Sequence, residues 1–135
     1  MPQRVFLRLQ SGRDSRDRRH KSLARRAHHL REQKRALKHA TLRDCGRRCV
    51  YCATVLPLEY ATLDHVIPVA RGGTDAPGNL VVACGPCNRL KGDMHPTQFF
   101  ARYPWAGVNF VRYARAVHRA LKRGARRAVS LVLAA

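Results

Sequence analysis

Four of the five cysteines stand in two Cys-x2-Cys pairs, and these pairs constrain the fold more than any other feature of the 135-residue chain. A tight turn lets both thiolates of such a pair bind one metal ion, and four thiolates close a tetrahedral structural zinc site. The segment that contains both cysteine pairs has fewer than 50 residues, which is too few to bury much apolar surface without a metal. We therefore expect one structural Zn²⁺, with the ligands Cys49, Cys52, Cys84 and Cys87.

Disulfide bonds or a redox motif would also account for paired cysteines. The N-terminus lacks the hydrophobic stretch and cleavage site of a signal peptide, so we expect a reducing, cytoplasmic location, nucleoid-associated or phage-encoded in a bacterial cell. Disulfides are rare there, and the presence of two such pairs weakens the case for a redox motif. The leftover Cys45 precedes Gly46, and we expect it at a helix end with a free thiol; it would be a ligand only if Cys49 were not.

The chain is strongly basic, with a net charge of +19 and a pI near 11.4. Such a balance indicates a polyanionic partner, most often nucleic acid. Ribosome-type RNA binding and binding to a membrane surface compete with DNA binding as the reason for this charge. No apolar run approaches the roughly 20 residues of a membrane helix, so we expect no membrane-spanning segment, and nucleic acid, DNA or RNA, is the expected partner.

The positive charge lies in two arms. Residues 1–48 carry a net charge of +12 and residues 96–135 carry +8, whereas residues 49–95 carry −1. This division predicts a basic helical N-terminal arm (1–44), a chemical core (45–95) and a basic helical C-terminal region (96–135). The near-neutral core cannot attract a polyanion by itself, so the arms must supply that attraction.

The core reads as strand, strand, helix, with one thiol pair at each end. We expect Val55, Leu56 and Leu58 in the first strand, and Leu63, Val66 and Ile67 in the second. The stretch GGTDAPG is a loop by its glycines and proline, and NLVVACGPCNRLKGD predicts a turn followed by a helix from about Pro86 to Gly92.

Three stretches of the core, CVYC, LDHVIPVARGG and NLVVACGPCNRLKG, carry a family resemblance. An acid–histidine pair, two spaced asparagines and four cysteines follow one another as in the HNH (ββα-metal) endonucleases, and the stretch from Cys49 to Gly92 resembles the four-cysteine branch of that family. The resemblance implies an α+β fold, with a small ββα-metal core stapled by a four-cysteine zinc site and flanked by basic helices. It covers about a third of the chain and leaves out the arms.

The resemblance also implies roles for Asp64, His65, Asn79 and Asn88 in the hydrolysis of DNA phosphodiester bonds. It makes His65 the general base, gives Asp64 and Asn88 a catalytic divalent ion, and makes Asn79 the residue that fixes the loop beside the histidine. The residues suit this chemistry, since a neutral imidazole accepts a proton at cellular pH and two oxygen ligands suit Mg²⁺ or another divalent ion. Asn88 stands where other members have a histidine, which favours an oxygen-rich site.

Plainer readings exist for the same residues. An isolated Asp-His pair is more often a surface pair, Asn79 could serve as a cap or turn residue, and a non-catalytic zinc-ribbon module would explain the cysteines and the basic arms. Arg71, Arg89 and Lys91 are the only lysine or arginine residues between positions 49 and 95, and we expect them to contact phosphates. His95 is a further candidate for a metal or phosphate contact.

The arms read as helices. From Arg16 to about Leu42, a thin apolar stripe through Leu23, Leu30 and Leu37 either packs lightly on the core or pairs with a second helix, which leaves a homodimer open. On the remaining basic faces we expect Arg25, Arg26 and Lys34 to bind nucleic acid. Pro96 predicts the start of a short helix, and a second amphipathic stripe, ending at Gly124, runs through Phe110, Tyr113, Ala114, Val117 and Leu121.

Overall fold

A computed structural model describes the backbone of residues 3–134 and the side chains of residues 14–124. The chain divides into two compact units, one up to Ala36 and one from Leu37 onward. Helices α1 (Gln3–Asp44), α2 (Gly85–Lys91), α3 (Pro96–Arg102), α4 (Pro104–Tyr113) and α5 (Arg115–Ala134) accompany a sheet of two strands, β1 (Ala61–His65) and β2 (Leu80–Cys84). The predicted α+β class is confirmed. Within the described residues, no helix is both long and apolar enough to span a membrane.

Helix α1 is a solvated helix over most of its described length. Every side chain from Asp14 to Leu37 is exposed, including Leu23 and Leu30 of the predicted stripe. Ion pairs four residues apart, such as Arg18–Asp14 and Lys21–Asp17, add modestly to helix stability. Residues 14–37 of α1 therefore present a charged, solvent-accessible surface.

The end of α1 directs the chain into the core. Gly46 is left-handed, with φ of 69°, and its N–H donates to the Arg43 carbonyl, while the Arg47 N–H donates to the Leu42 carbonyl at 2.8 Å. These two bonds form a Schellman motif, in which glycine takes the position that a side chain would strain. Cys45 follows the last helical residue as a buried free thiol, as the sequence predicts.

The two strands form an antiparallel pair in which Asp64 lies opposite Val81 and His65 opposite Leu80. The predicted first strand at residues 55–58 is wrong. Val55 makes an isolated bridge with Arg48, and Pro57 leads into a 3-10 turn at Leu58–Tyr60. Proline lacks the N–H that a strand ladder needs, which accounts for the break.

The true partner strand, β2, lies in a stretch that the sequence pattern assigned to a turn. Its residues Leu80 to Ala83 are all buried, so the sequence there is a continuous apolar run without alternation. Helix α2 follows directly, and the predicted end at Gly92 is confirmed, since Gly92 caps α2 with φ of 50°. The predicted order of strand, strand and helix is therefore kept, but β1 overlaps the second predicted strand and β2 lies where a turn was predicted.

An aromatic cluster joins the C-terminal helices to the core. Tyr51 packs edge-on against Phe99 at 5.1 Å between ring centroids and stacks on Phe110 at 6.2 Å. Helix α3 begins at Pro96, as predicted. The second predicted amphipathic stripe faces the core, although a one-residue break at Ala114 divides it between α4 and α5. Helix α5 continues beyond Gly124, so the predicted helix end at Gly124 is wrong. Gly124 is not among the glycines with positive φ, so it does not terminate the helix as a left-handed cap.

Candidate active site and metal centre

The four paired cysteines converge in space. Their sulfur atoms all lie within 4.8 Å of one another, and those of Cys52 and Cys84 are 3.8 Å apart. A tetrahedral site with Zn–S bonds of about 2.3 Å requires about 3.8 Å between sulfurs, whereas a disulfide requires about 2.05 Å. All five cysteines are free thiols. The cluster therefore could hold a metal ion of the predicted kind, and Cys45 stands outside it.

Local backbone geometry places both pairs. Cys49 and Cys52 lie in a tight turn that Ala53 closes with φ of 65°, and Cys49 N–H donates to the Thr54 carbonyl at 2.9 Å. Cys84 is the last residue of β2 and the N-cap of α2, so Cys87 follows in the first turn of that helix. One pair therefore rests on a turn and the other on a strand–helix junction.

The thiols differ in acidity. Burial raises the pKa of Cys49 to about 11. Burial also acts to raise the pKa of Cys52, but its hydrogen bonds with Thr54 outweigh this and lower the pKa to about 7. Burial raises the pKa of Cys87 strongly. Because metals bind thiolates, loading this cluster must expel protons from the more buried sulfurs.

Asp64, His65 and Asn88 line one open cleft of about 290 Å³ beside the 3-10 turn at Val69–Arg71. Asp64 and His65 are the last two residues of β1, and Asn88 lies on α2. Thr62 and Asp64 share one face of β1, where Asn88 Nδ2 donates to Thr62 Oγ1 at 3.1 Å. Packing of α2 against this face therefore brings Asn88 to the side of β1 that carries Thr62 and Asp64.

Asp64 is buried and held from two sides. The Tyr51 hydroxyl donates to Oδ2 at 2.5 Å, and the Lys91 ammonium donates to Oδ1 at 3.2 Å. Burial raises the pKa of Asp64, whereas the bond from Tyr51 and the charge of Lys91 lower it in part. Burial and the neighbouring carboxylate raise the pKa of Tyr51 well above its ordinary value, so its hydroxyl keeps the proton that it donates.

His65 and Asn79 organise the far side of the cleft. His65 Nε2 lies 2.6 Å from Asp75 Oδ1. The Asn79 amide accepts a bond from Ile67 N–H at 2.8 Å and donates to the carbonyls of Ile67 and Thr74 at 3.0 and 2.8 Å. Asn79 is thus bonded to two points of the loop that follows His65, Ile67 near its start and Thr74 further along.

Lys91 does not lie where the sequence led us to expect it. Its side chain is fully buried and bonded to Asp64 and to the His65 carbonyl, so the expectation that it contacts phosphate is wrong. Burial of an ammonium group is tolerated because the carboxylate compensates its charge. The remaining candidates for nucleic-acid contact are exposed side chains: Arg71 near the cleft, Arg89 on α2, and Arg25, Arg26 and Lys34 on α1.

His95 has a structural contact. Its Nδ1 accepts a bond from the Thr97 N–H at 3.3 Å and so caps helix α3.

Arg71 donates to the carbonyl of Asp93 at 2.6 Å, which holds its guanidinium beside the cleft.

Three residues of the site could not be recognised in the sequence: Tyr51, Asp75 and, in its buried position, Lys91. The only signal for Asp75 is an acid within a glycine-rich loop, and Tyr51 is a single aromatic residue between two cysteines. Neither position is distinctive in a sequence, because both partners are distant along the chain.

Comparison with known proteins agrees with the resemblance. The HNH endonuclease family matches at residues 49–104. The CRISPR-associated endonuclease Cas9 of Actinomyces naeslundii is 35% identical over 75 residues, which cover 55% of this chain and 6% of that protein. The CRISPR-associated endonuclease Cas9 of Corynebacterium diphtheriae is 36% identical over 47 residues, which cover 34% of this chain and 4% of that protein.

The crystal structure of the Type II-C Cas9 enzyme from Actinomyces naeslundii aligns with 68% of this chain and 12% of that chain, with 26% identity and a TM-score of 0.45. The chain thus spans a small part of the length of these relatives. The family match includes the thiol cluster, both strands and every cleft residue named above. Residues 49–104 of this chain are therefore similar to the HNH endonuclease family along the whole of the candidate site.

Proposed function

We propose that this chain is a metal-dependent endonuclease that hydrolyses DNA phosphodiester bonds. The observation that carries the proposal is the convergence of Asp64, His65 and Asn88 on one open cleft, within the segment that matches the HNH endonuclease family. His65 is the general base, Asp64 and Asn88 hold a divalent ion, and Asn79 fixes the loop beside the base.

The donor set suits a hard cation such as Mg²⁺. Each carboxylate oxygen of Asp64 has two lone pairs, so the bonds from Tyr51 and Lys91 leave room for a further ligand. Asn88 uses its Nδ2 on Thr62, which leaves the amide oxygen as the group available to a cation. When bound, the ion would neutralise charge on the phosphate and on the leaving oxygen.

His65 supplies the proton acceptor. It takes one proton from a water molecule, the water oxygen forms a bond to phosphorus, and the bond from phosphorus to the leaving oxygen breaks. Solvent returns a proton to that oxygen. His65 suits this role because its side chain is 31% exposed and lines the cleft, so water and a phosphate reach it.

The other parts of the chain support this chemistry. A zinc ion on Cys49, Cys52, Cys84 and Cys87 would hold α2 against the turn that precedes β1, and so keep Asn88 near Asp64. Residues 1–44 and 96–135 are the DNA-binding arms, and residues 45–95 are the catalytic core. The arms attract the phosphate backbone without reading bases.

Plasmid cleavage tests the proposal. The full chain, purified with its zinc, is incubated with supercoiled DNA in Mg²⁺ or in EDTA, and His65→Ala is compared with His39→Ala, which removes an exposed imidazole of α1. We expect Mg²⁺-dependent nicking that falls by about 10²–10⁴-fold in His65→Ala only. DNA or RNA binding without metal-dependent cleavage would overturn the proposal in favour of a non-catalytic zinc-ribbon module.

A further inference from the structure

Asp75 makes the closest polar contact of the proposed general base. Its Oδ1 lies 2.6 Å from His65 Nε2, well within hydrogen-bond range. The Asp75 side chain is 88% exposed and the His65 side chain 31% exposed, so the pair lies at the mouth of the cleft. Burial therefore does not force the contact, and the loop backbone must present the carboxylate.

The loop is built to present it. Gly73 lies so close to the strand end that an added Cβ would be 1.7 Å from the Ile67 carbonyl oxygen, and its N–H donates to the Pro68 carbonyl at 2.9 Å. Asn79 Nδ2 donates to the carbonyl of Thr74, directly before Asp75, and the Asn79 N–H donates to the carbonyl of Ala76, directly after it, both at 2.8 Å. Both residues that flank Asp75 are thus bonded to Asn79, and the Asn79 side chain is itself bonded to Ile67, two residues after His65.

A carboxylate only accepts hydrogen bonds, so a neutral His65 must carry its proton on Nε2 to donate to Asp75. The lone pair then resides on Nδ1. We propose that Asp75 is a positioning residue, which holds the His65 ring in one orientation and one tautomer and leaves Nδ1 as the atom that accepts the proton from water. This inference rests on the proposed nuclease function, and it assigns the base to a particular atom.

Catalysis and spectroscopy test this role together. The variants are Asp75→Ala, Asp75→Glu, His65→Ala and the double variant, with Glu59→Gln as a control that removes one exposed acid and changes the net charge equally. We expect kcat to fall about 10- to 100-fold in Asp75→Ala with KM nearly unchanged, and to recover in part in Asp75→Glu. Because Asp75 acts through His65, the double variant should cleave no more slowly than His65→Ala.

Nitrogen NMR of the DNA-free protein gives a readout that does not depend on cleavage. The wild-type protein should show His65 protonated on Nε2, and Asp75→Ala should show a mixture of tautomers. Cleavage by Asp75→Ala equal to or faster than that of Glu59→Gln would overturn the inference, as would a further loss in the double variant. Absence of cleavage in the wild-type protein would instead refute the proposed function, and the tautomer would still be read directly.

Discussion

Lys91 and Asp64 form a buried ion pair, with 3.2 Å between Nζ and Oδ1. The same ammonium donates to the His65 carbonyl at 2.9 Å, so one side chain of α2 is bonded to both residues of the acid–histidine pair. Lys91 is 1% exposed and Asp64 6% exposed, so both charges are largely shielded from bulk water. The pair therefore fixes the end of β1 against α2 and orients the Asp64 carboxylate toward the cleft.

Removing the cation should destabilise the domain. Lys91→Met keeps the length of the side chain but leaves Asp64 buried with only the Tyr51 hydroxyl, and loss of one partner of a buried pair costs about 3–5 kcal/mol. Chemical denaturation measures the loss, with Arg89→Met as the control on the exposed face of the same helix. Equal free energies of unfolding for the two variants would show that the pair does not stabilise the fold.

Removal of one thiolate should cost the metal and the fold together. Cys84 joins β2 to α2, so Cys84→Ser should lose the bound zinc and unfold, since a closed thiolate site contributes folding free energy directly. Cys45→Ser is the matched control, because this buried thiol stands outside the cluster. We expect one zinc per chain in the control and none in Cys84→Ser by elemental analysis. Equal zinc content would rule out Cys84 as a ligand.

Zinc affinity should rise with pH. The raised pKa values of Cys49, about 11, and of Cys87 mean that these thiols still carry protons at pH 7, whereas Cys52, with a pKa of about 7, is already partly thiolate. Metal binding must displace the remaining protons, so the apparent affinity should increase about tenfold per pH unit for each thiol still protonated. Chelator competition between about pH 6.5 and 8.5 measures the slope. A flat profile would mean that the cluster binds zinc without releasing protons.

The exposed cations of α1 should govern the salt dependence of DNA binding. Each phosphate contact contributes about −0.9 to the slope of log affinity against log salt on duplex DNA. Replacing Arg25, Arg26 and Lys34 with alanine should therefore flatten the slope by up to about 2.7, and weaken binding to all sequences alike. Ser22→Ala with Gln33→Ala is the uncharged control on the same helix. If the slope stays constant, α1 does not contact DNA and the C-terminal arm carries the affinity.

The sequence alone determined the features that depend on neighbouring residues. Two Cys-x2-Cys turns, a helix between Pro86 and Gly92 and the helical end at Gly46 follow from local geometry, so spacing and residue type were enough to predict them. The family resemblance followed from the same local motifs. The apolar residues at 55–58 do not form the predicted strand because Pro57 interrupts it, and β2 shows no alternating pattern in the sequence because it is buried on both faces.

Only the tertiary structure decided how the site is supported. Asp64 contacts Tyr51, 13 residues earlier in the chain, and Lys91, 27 residues later, and His65 contacts Asp75, 10 residues later. In the sequence of a basic protein, Lys91 is a plausible phosphate contact. It is the counter-ion of Asp64 because α2 packs on β1 and excludes water from its ammonium group. Burial and ion pairing depend on tertiary contacts between distant segments. The sequence shows the residue types but not which of them come into contact.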